Sequence, residues 1–260
     1  MKCGNLKRMA SANLTVALMV AGILAPRVNA EVGLVTTDKG AIRGVVNGAV
    51  VQYLGVPYAA APAGALRFKA PQPHAAWNGT LDASKAGNRC PSNQRNMQTP
   101  MAEDCLNLGV SVPFAAAVPK MPVYVWYHGG GFNHGDAALV DPAASALATR
   151  NNIIVVTVNY RLGLLGYLGL PILDAGDGKT GNYGLEDQQA ALRWVKANIA
   201  KFGGDPANVT IGGESAGASS VCQLYASPDS KGLFVGPSTW AALAWTNTRA
   251  NNPRMEATLG

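Results

Sequence analysis

Gly213-Glu214-Ser215-Ala216-Gly217 sets a serine between glycines, after the β-branched run Val209-Thr210-Ile211 and before Ala218 to Leu224, which can start a helix. Strand, tight turn and helix in that order expose the serine hydroxyl on a bend, where it can act as a nucleophile. Flanking glycines let the backbone pack closely there. Upstream, His128-Gly129-Gly130-Gly131-Phe132 supplies the second requirement of acyl transfer, free backbone N–H groups for a developing oxyanion. The N–H of Ala216, directly after the nucleophile, is one such donor and the glycine loop supplies the others, and losing one costs about 2.7–4 kcal/mol of transition-state stabilisation. A serine hydroxyl also needs a base within hydrogen-bond reach. All three histidines, His74, His128 and His134, precede Ser215, whereas this arrangement places its base last in the chain.

Each residue has a plainer reading. Ser215 as an ordinary turn serine does not account for the strand and helix that bracket it. His128, set before the glycines, suits holding the loop better than proton transfer. His134 follows the loop and is the candidate for an improvised base, although no partner is placed for it. His74, in Pro-Gln-Pro-His, reads as surface loop. Asp187, near a helix start, reads as a capping and dipole residue rather than a catalytic one. Asn78-Gly79-Thr80 and Asn208-Val209-Thr210 match glycosylation acceptors, the second entering a strand expected to be buried.

The elements that must position these residues follow from pattern. Val32–Thr37, Ala41–Val46 and Val50–Leu54 are short β-rich runs, and Asn47-Gly48 between the last two predicts a hairpin in an antiparallel meander. Residues 55–119 are dense in Pro, Gly and Asn and read as turns pinned by Trp77 and by Cys90 and Cys105. Val123–Tyr127 and Ile153–Asn159 are apolar β-branched runs of strands buried on both faces, with a helix between them over Pro142–Arg150. Leu185, Leu192, Val195 and Ile199 recur at helical spacing, so 184–202 is a helix, ended by Gly203-Gly204 with Asp205-Pro206 beyond. Strands alternating with helices imply an α/β fold with a mainly parallel central sheet.

The first thirty residues stand apart. Lys2, Lys7 and Arg8 are followed by the uncharged apolar stretch Leu14–Leu24, and Val28-Asn29-Ala30 resembles a peptidase site, which together predict an export signal over 1–30 and a secreted or periplasmic location. The stretch is too short to make a stable membrane span. Without residues 1–30 the formal charge falls from +6 to +2, with no basic run, which gives no footprint for nucleic acid. In an oxidising compartment Cys90 and Cys105 would bridge the loop between them; the other reading is two unpaired thiols. Cys222, among apolar neighbours after the elbow, reads as a buried free thiol. No metal or organic cofactor is expected, because the Cys and His lack ligand spacing.

From Gly40 to Phe234 the chain resembles the N-terminal half of a type B carboxylesterase, in the cholinesterase-like branch of the α/β-hydrolases. The blocks that carry the resemblance are Tyr53-Leu54-Gly55-Val56-Pro57-Tyr58, Leu66-Arg67-Phe68, Glu103-Asp104-Cys105-Leu106-Asn107, His128 to Phe132, Asn159-Tyr160-Arg161-Leu162-Gly163 and Gly181-Asn182-Tyr183-Gly184-Leu185-Glu186-Asp187-Gln188. The resemblance implies an α/β-hydrolase fold, Ser215 as nucleophile, and Gly130, Gly131 and Ala216 as the oxyanion hole. It further implies a Cys90–Cys105 disulfide, Glu214 as an acid beside the nucleophile that tunes water and charge, and a small carboxylic ester as substrate. It sets residues 31–234 as the N-terminal part of the hydrolase domain. Residues 235–260, with Trp240, Trp245 and an Asn/Arg run, depart from the family pattern and are expected to be a truncated or frame-shifted tail, leaving the domain incomplete at its C-terminus. In the family the triad acid and histidine lie later. The rival expectation is therefore a non-catalytic fragment or binding module of esterase ancestry; an amidase or lactonase would use the same elbow.

Overall fold

Short β-branched runs build the first strands of the computed structural model, which describes residues 32–94, 97–114, 120–174 and 180–237. The expected export signal at 1–30 lies outside the described residues, as does the expected tail over 235–260, with Trp240 and Trp245, apart from its first three residues. Strands β1 (Leu34–Thr36) and β2 (Ala41–Arg43) pair antiparallel, and β3 (Val45–Asn47) pairs antiparallel with β4 (Val50–Pro57) across the turn at Gly48, whose φ of 58° suits the Asn-Gly hairpin. The run Ala41–Val46 is not one strand. It breaks at Gly44, where a Cβ would stand 2.4 Å from the Gln52 carbonyl oxygen, and the two halves enter different sheets.

One sheet holds β1, β2 and β5 (Thr80–Asp82). Trp77 pins it to the preceding loop, donating from Nε1 to the Ala41 carbonyl at 2.8 Å. The other contains β6 (Asn107–Pro113), β7 (Met121–Tyr127), β8 (Ile154–Val158), β9 (Gly204–Gly213) and β10 (Gly236–Pro237) in the order β10-β9-β7-β8-β6-β4-β3. Strands β10, β9, β7 and β8 run parallel, and β6, β4 and β3 extend them antiparallel. β6 overturns the reading of 55–119 as turns alone. It is buried along nearly its whole length, and its polar Asn107 and Ser111 with Gly109 break the apolar run that would reveal it. A side chain at Gly109 would press on the Thr157 hydroxyl at 2.7 Å, so close strand approach requires glycine there.

Helices α1 (Asp141–Asn151), α2 (Gly163–Tyr167), α3 (Tyr183–Asn198) and α4 (Ala216–Ala226) complete the fold. Val123, Val125 and Tyr127 of β7, Ile154, Val156 and Val158 of β8, and Val209 and Ile211 of β9 share one core with Leu192, Val195, Val221 and Leu224 of α3 and α4. Full burial of each such aliphatic side chain contributes about 1.5–3 kcal/mol, enough to hold the elbow strand rigidly in the middle of the sheet. The alternate residue Val155 packs instead with Val50, Ala144 and Ala148 under α1. Among the described residues no helix is long and apolar enough to cross a membrane.

Candidate active site

Strand β9 ends at Gly213 and α4 begins at Ala216, so Glu214 and Ser215 make the whole turn between them. Ser215 holds φ 51° and ψ −116°, a conformation that a residue with a Cβ adopts at a cost of order 1–3 kcal/mol. The surrounding glycines fix it. A Cβ on Gly213 would lie 2.4 Å from the Gly217 carbonyl carbon, and one on Gly217 would lie 2.1 Å from the Tyr127 carbonyl oxygen. The first turn of α4 is thereby wedged against the end of β7, and Ser215 is left exposed at the helix N-terminus. That terminus carries a partial positive charge, which favours negative charge developing beside the serine.

The glycine loop abuts the elbow. A Cβ on Gly129 would stand 3.1 Å from Ser215 Cβ and 2.1 Å from the Glu214 Oε2, so only glycine allows this approach. Gly130 and Gly131 follow with φ of 109° and 60°. In a trans peptide the carbonyl and the next N–H point in opposite directions within one plane, so the partner of the carbonyl aims the N–H. The Gly129 carbonyl, paired with the Gly130 N–H, receives His128 Nδ1 at 2.8 Å. The Gly130 carbonyl, paired with the Gly131 N–H, accepts from the N–H groups of Asn133 at 3.0 Å and His134 at 3.2 Å. The Ser215 carbonyl, paired with the Ala216 N–H, accepts from the Ser219 N–H at 3.0 Å. All three expected donors therefore have their peptide planes tied from behind.

Further contacts clamp the loop from outside. The Gly163 N–H donates to the Phe132 carbonyl at 2.6 Å, and the Phe132 ring lies 4.9 Å from that of Tyr167 on α2. The Thr99 hydroxyl donates to the Asp136 carboxylate, and the Asn93 N–H reaches the Asn133 carbonyl at 3.4 Å. Thr99 and Asn93 belong to the loop closed by the Cys90–Cys105 disulfide, which is formed. A bridge across a loop of this length stabilises by about 3 kcal/mol, and here it also braces the glycine loop.

The histidines separate clearly. His128 is buried, and since a carbonyl only accepts, its Nδ1 carries the proton bonded to Gly129. Burial pushes its pKa below the ordinary value, and Nε2 is buried without a hydrogen-bond partner, so the ring is a neutral fixture of the loop. His74 is half-buried and packs edge-on to Trp77 at 5.7 Å. His134 is exposed directly after the glycine loop. Among the described residues none of the three hydrogen-bonds to the Ser215 hydroxyl.

Two readings change. Asp187 does not cap a helix: it is fully buried and bridges Arg161 in a bidentate pair, with both Arg161 Nε and Nη2 at 2.7 Å from its oxygens. Cys222 is half-buried rather than buried, and free. Tyr160, to which the sequence assigns no role of its own, lies against His128; its place in the Asn-Tyr-Arg-Leu-Gly block is the signal that singles it out.

The carboxylesterase family model matches residues 31–251. Among curated relatives, the fumonisin B1 esterase of Sphingopyxis macrogoltabida is 44% identical over 204 residues, covering 76% of this chain and 37% of its own length. The para-nitrobenzyl esterase of Bacillus subtilis is 42% identical over 207 residues, covering 77% and 42% respectively. A solved thermophilic pNB esterase superposes with a TM-score of 0.74 at 42% identity, over 78% of this chain and 43% of that one. The chain thus spans about two fifths of the length of the relatives it matches.

Proposed function

The chain belongs to the carboxylesterase family, and we propose that it carries the nucleophile and oxyanion hole of a serine esterase acting on small carboxylic esters. The observation that carries the reading is the strained, exposed Ser215 at the N-terminus of α4, with Gly129 packed against its Cβ. Ester hydrolysis by its relatives, named for para-nitrobenzyl and fumonisin B1 esters, gives the reaction class.

In this reading Ser215 Oγ attacks the ester carbonyl carbon and the carbonyl oxygen becomes an oxyanion. The N–H groups of Gly130, Gly131 and Ala216 bind it, and their peptide planes need no rearrangement, which is what makes such donors effective. Collapse expels the alcohol, which takes up a proton, and leaves an acyl-Ser215 ester that water then hydrolyses. Glu214, beside the nucleophile and near Tyr160, adds negative charge at the rim of the site. The proton leaving Ser215 requires a base. Burial shuts His128 off from the serine hydroxyl, and the base proposed from this sequence is His134, exposed directly after the glycine loop.

Hydrolysis of p-nitrophenyl acetate by the chain without residues 1–30, run beside Ser215→Ala, tests this. The expected result is turnover above the buffer rate that falls to that rate in the variant. Equal rates in both would favour a non-catalytic module of esterase ancestry.

A further inference from the structure

We infer that Tyr160 is the positioning residue of the glycine loop, fixing the two consecutive peptide planes that lead into the first oxyanion donor. The inference rests on the reading of the Gly130 N–H as that donor.

Tyr160 lies just past the end of β8, and its hydroxyl donates to the His128 carbonyl at 2.6 Å. That bond sets the plane of the His128–Gly129 peptide. The same side chain sets the next one indirectly. Its ring stacks on the His128 ring with centroids 4.5 Å apart and planes 15° from parallel. His128 is boxed at its edge as well, since a Cβ on Gly135 would fall 2.1 Å from Nδ1. A ring confined in this way has one orientation, with its Nδ1–H on the Gly129 carbonyl, and that carbonyl aims the Gly130 N–H. The His128 carbonyl also faces the elbow, 2.8 Å from where a Cβ on Gly217 would be. Tyr160 thus holds a carbonyl that packs against the elbow at the entry to the glycine loop, where the two elements that supply the donors meet. The tyrosine remains a donor throughout the working range, because burial first and the Glu214 carboxylate second push its ionisation far above the ordinary value. Its place at the end of a sheet strand suits the role, since a site held by rigid elements keeps its geometry.

The test uses the purified chain labelled with 15N in glycine and histidine. In the parent, His128 shows a single tautomer with the proton on Nδ1. Tyr160→Phe, which removes one oxygen, shifts the Gly130 amide signal and speeds exchange of the His128 Nδ1–H about 3- to 10-fold, the effect of one lost hydrogen bond. Tyr160→Leu also removes the stack and populates both His128 tautomers. Tyr183→Phe is the control: its hydroxyl shares a hydrogen bond with the Thr180 hydroxyl at 3.1 Å, outside the glycine loop and the peptides of Tyr160, and its loss leaves the Gly130 and His128 signals in place. Unchanged signals in both folded Tyr160 variants, or equal changes in Tyr183→Phe, overturn the inference. In ester hydrolysis Tyr160→Phe lowers kcat about 3- to 10-fold with KM unchanged. Absence of Ser215-dependent hydrolysis in the parent would remove the esterase reading, while the magnetic-resonance result judges the positioning role separately.

Discussion

Asp187→Ala destabilises the fold by about 3–5 kcal/mol, the cost of leaving a buried guanidinium without its carboxylate. Arg161 is 2% exposed and Asp187 is fully buried. The guanidinium lies 5.4 Å from the centre of the Tyr183 ring and donates to the Lys69 carbonyl at 2.8 Å, so it cannot swing out to water without breaking further contacts. The Arg161 N–H also donates to Asp187, which ties the segment after β8 to α3. That segment carries Tyr160 and Gly163, both bonded to the glycine loop region, so the variant loosens the site as well as the core. Urea denaturation measures the effect, and a loss below about 1 kcal/mol would contradict it. The double change Arg161→Met with Asp187→Leu recovers part of the loss, because an apolar pair of similar volume avoids the unpaired charge.

Gly217→Ala is the second large effect. The added methyl would sit 2.1 Å from the Tyr127 carbonyl oxygen and 2.8 Å from the His128 carbonyl oxygen. Both are backbone atoms, one ending a central strand and one holding the Tyr160 hydroxyl, so neither can rotate aside. Either α4 or β7 must move, at about 3 kcal/mol, the upper part of the usual range for overpacking. Ser215 moves with α4. A displacement near 1 Å at a reacting group costs about 100-fold in rate, so ester turnover is expected to fall by at least that factor. A variant with near-parental denaturation midpoint and turnover would mean that the elbow is not wedged as described.

What could be read from the sequence was what is local. The elbow, the glycine loop and α3 announce themselves through turn chemistry and helical spacing, and β7 and β8 through unbroken apolar runs. The missed features depend on pairings distant in the chain. β6 is buried by neighbours on both sides, yet Asn107, Gly109 and Ser111 make it read as loop; its polar groups are satisfied by Asn88, Asn159 and strand partners, which no local pattern reveals. Asp187 sits where a helix-start acid usually serves the dipole, and only the fold brings Arg161 to it. Tyr160 shows the same limit, since its bond to His128 joins two strand ends that are sequential neighbours in the sheet but far apart along the chain. The break at Gly44 follows from crowding by β4, again a tertiary cause.

The proposed chemistry centres on one atom, Ser215 Oγ, with backbone donors held ready around the acyl oxygen. The most direct measurement is the intact mass of the chain after mixing with p-nitrophenyl acetate and quenching in acid, followed by mapping of the modified peptide. The expected product carries one acetyl group, on Ser215, which is absent from Ser215→Ala. An acetyl group on another residue, or equal labelling of the variant, would contradict it.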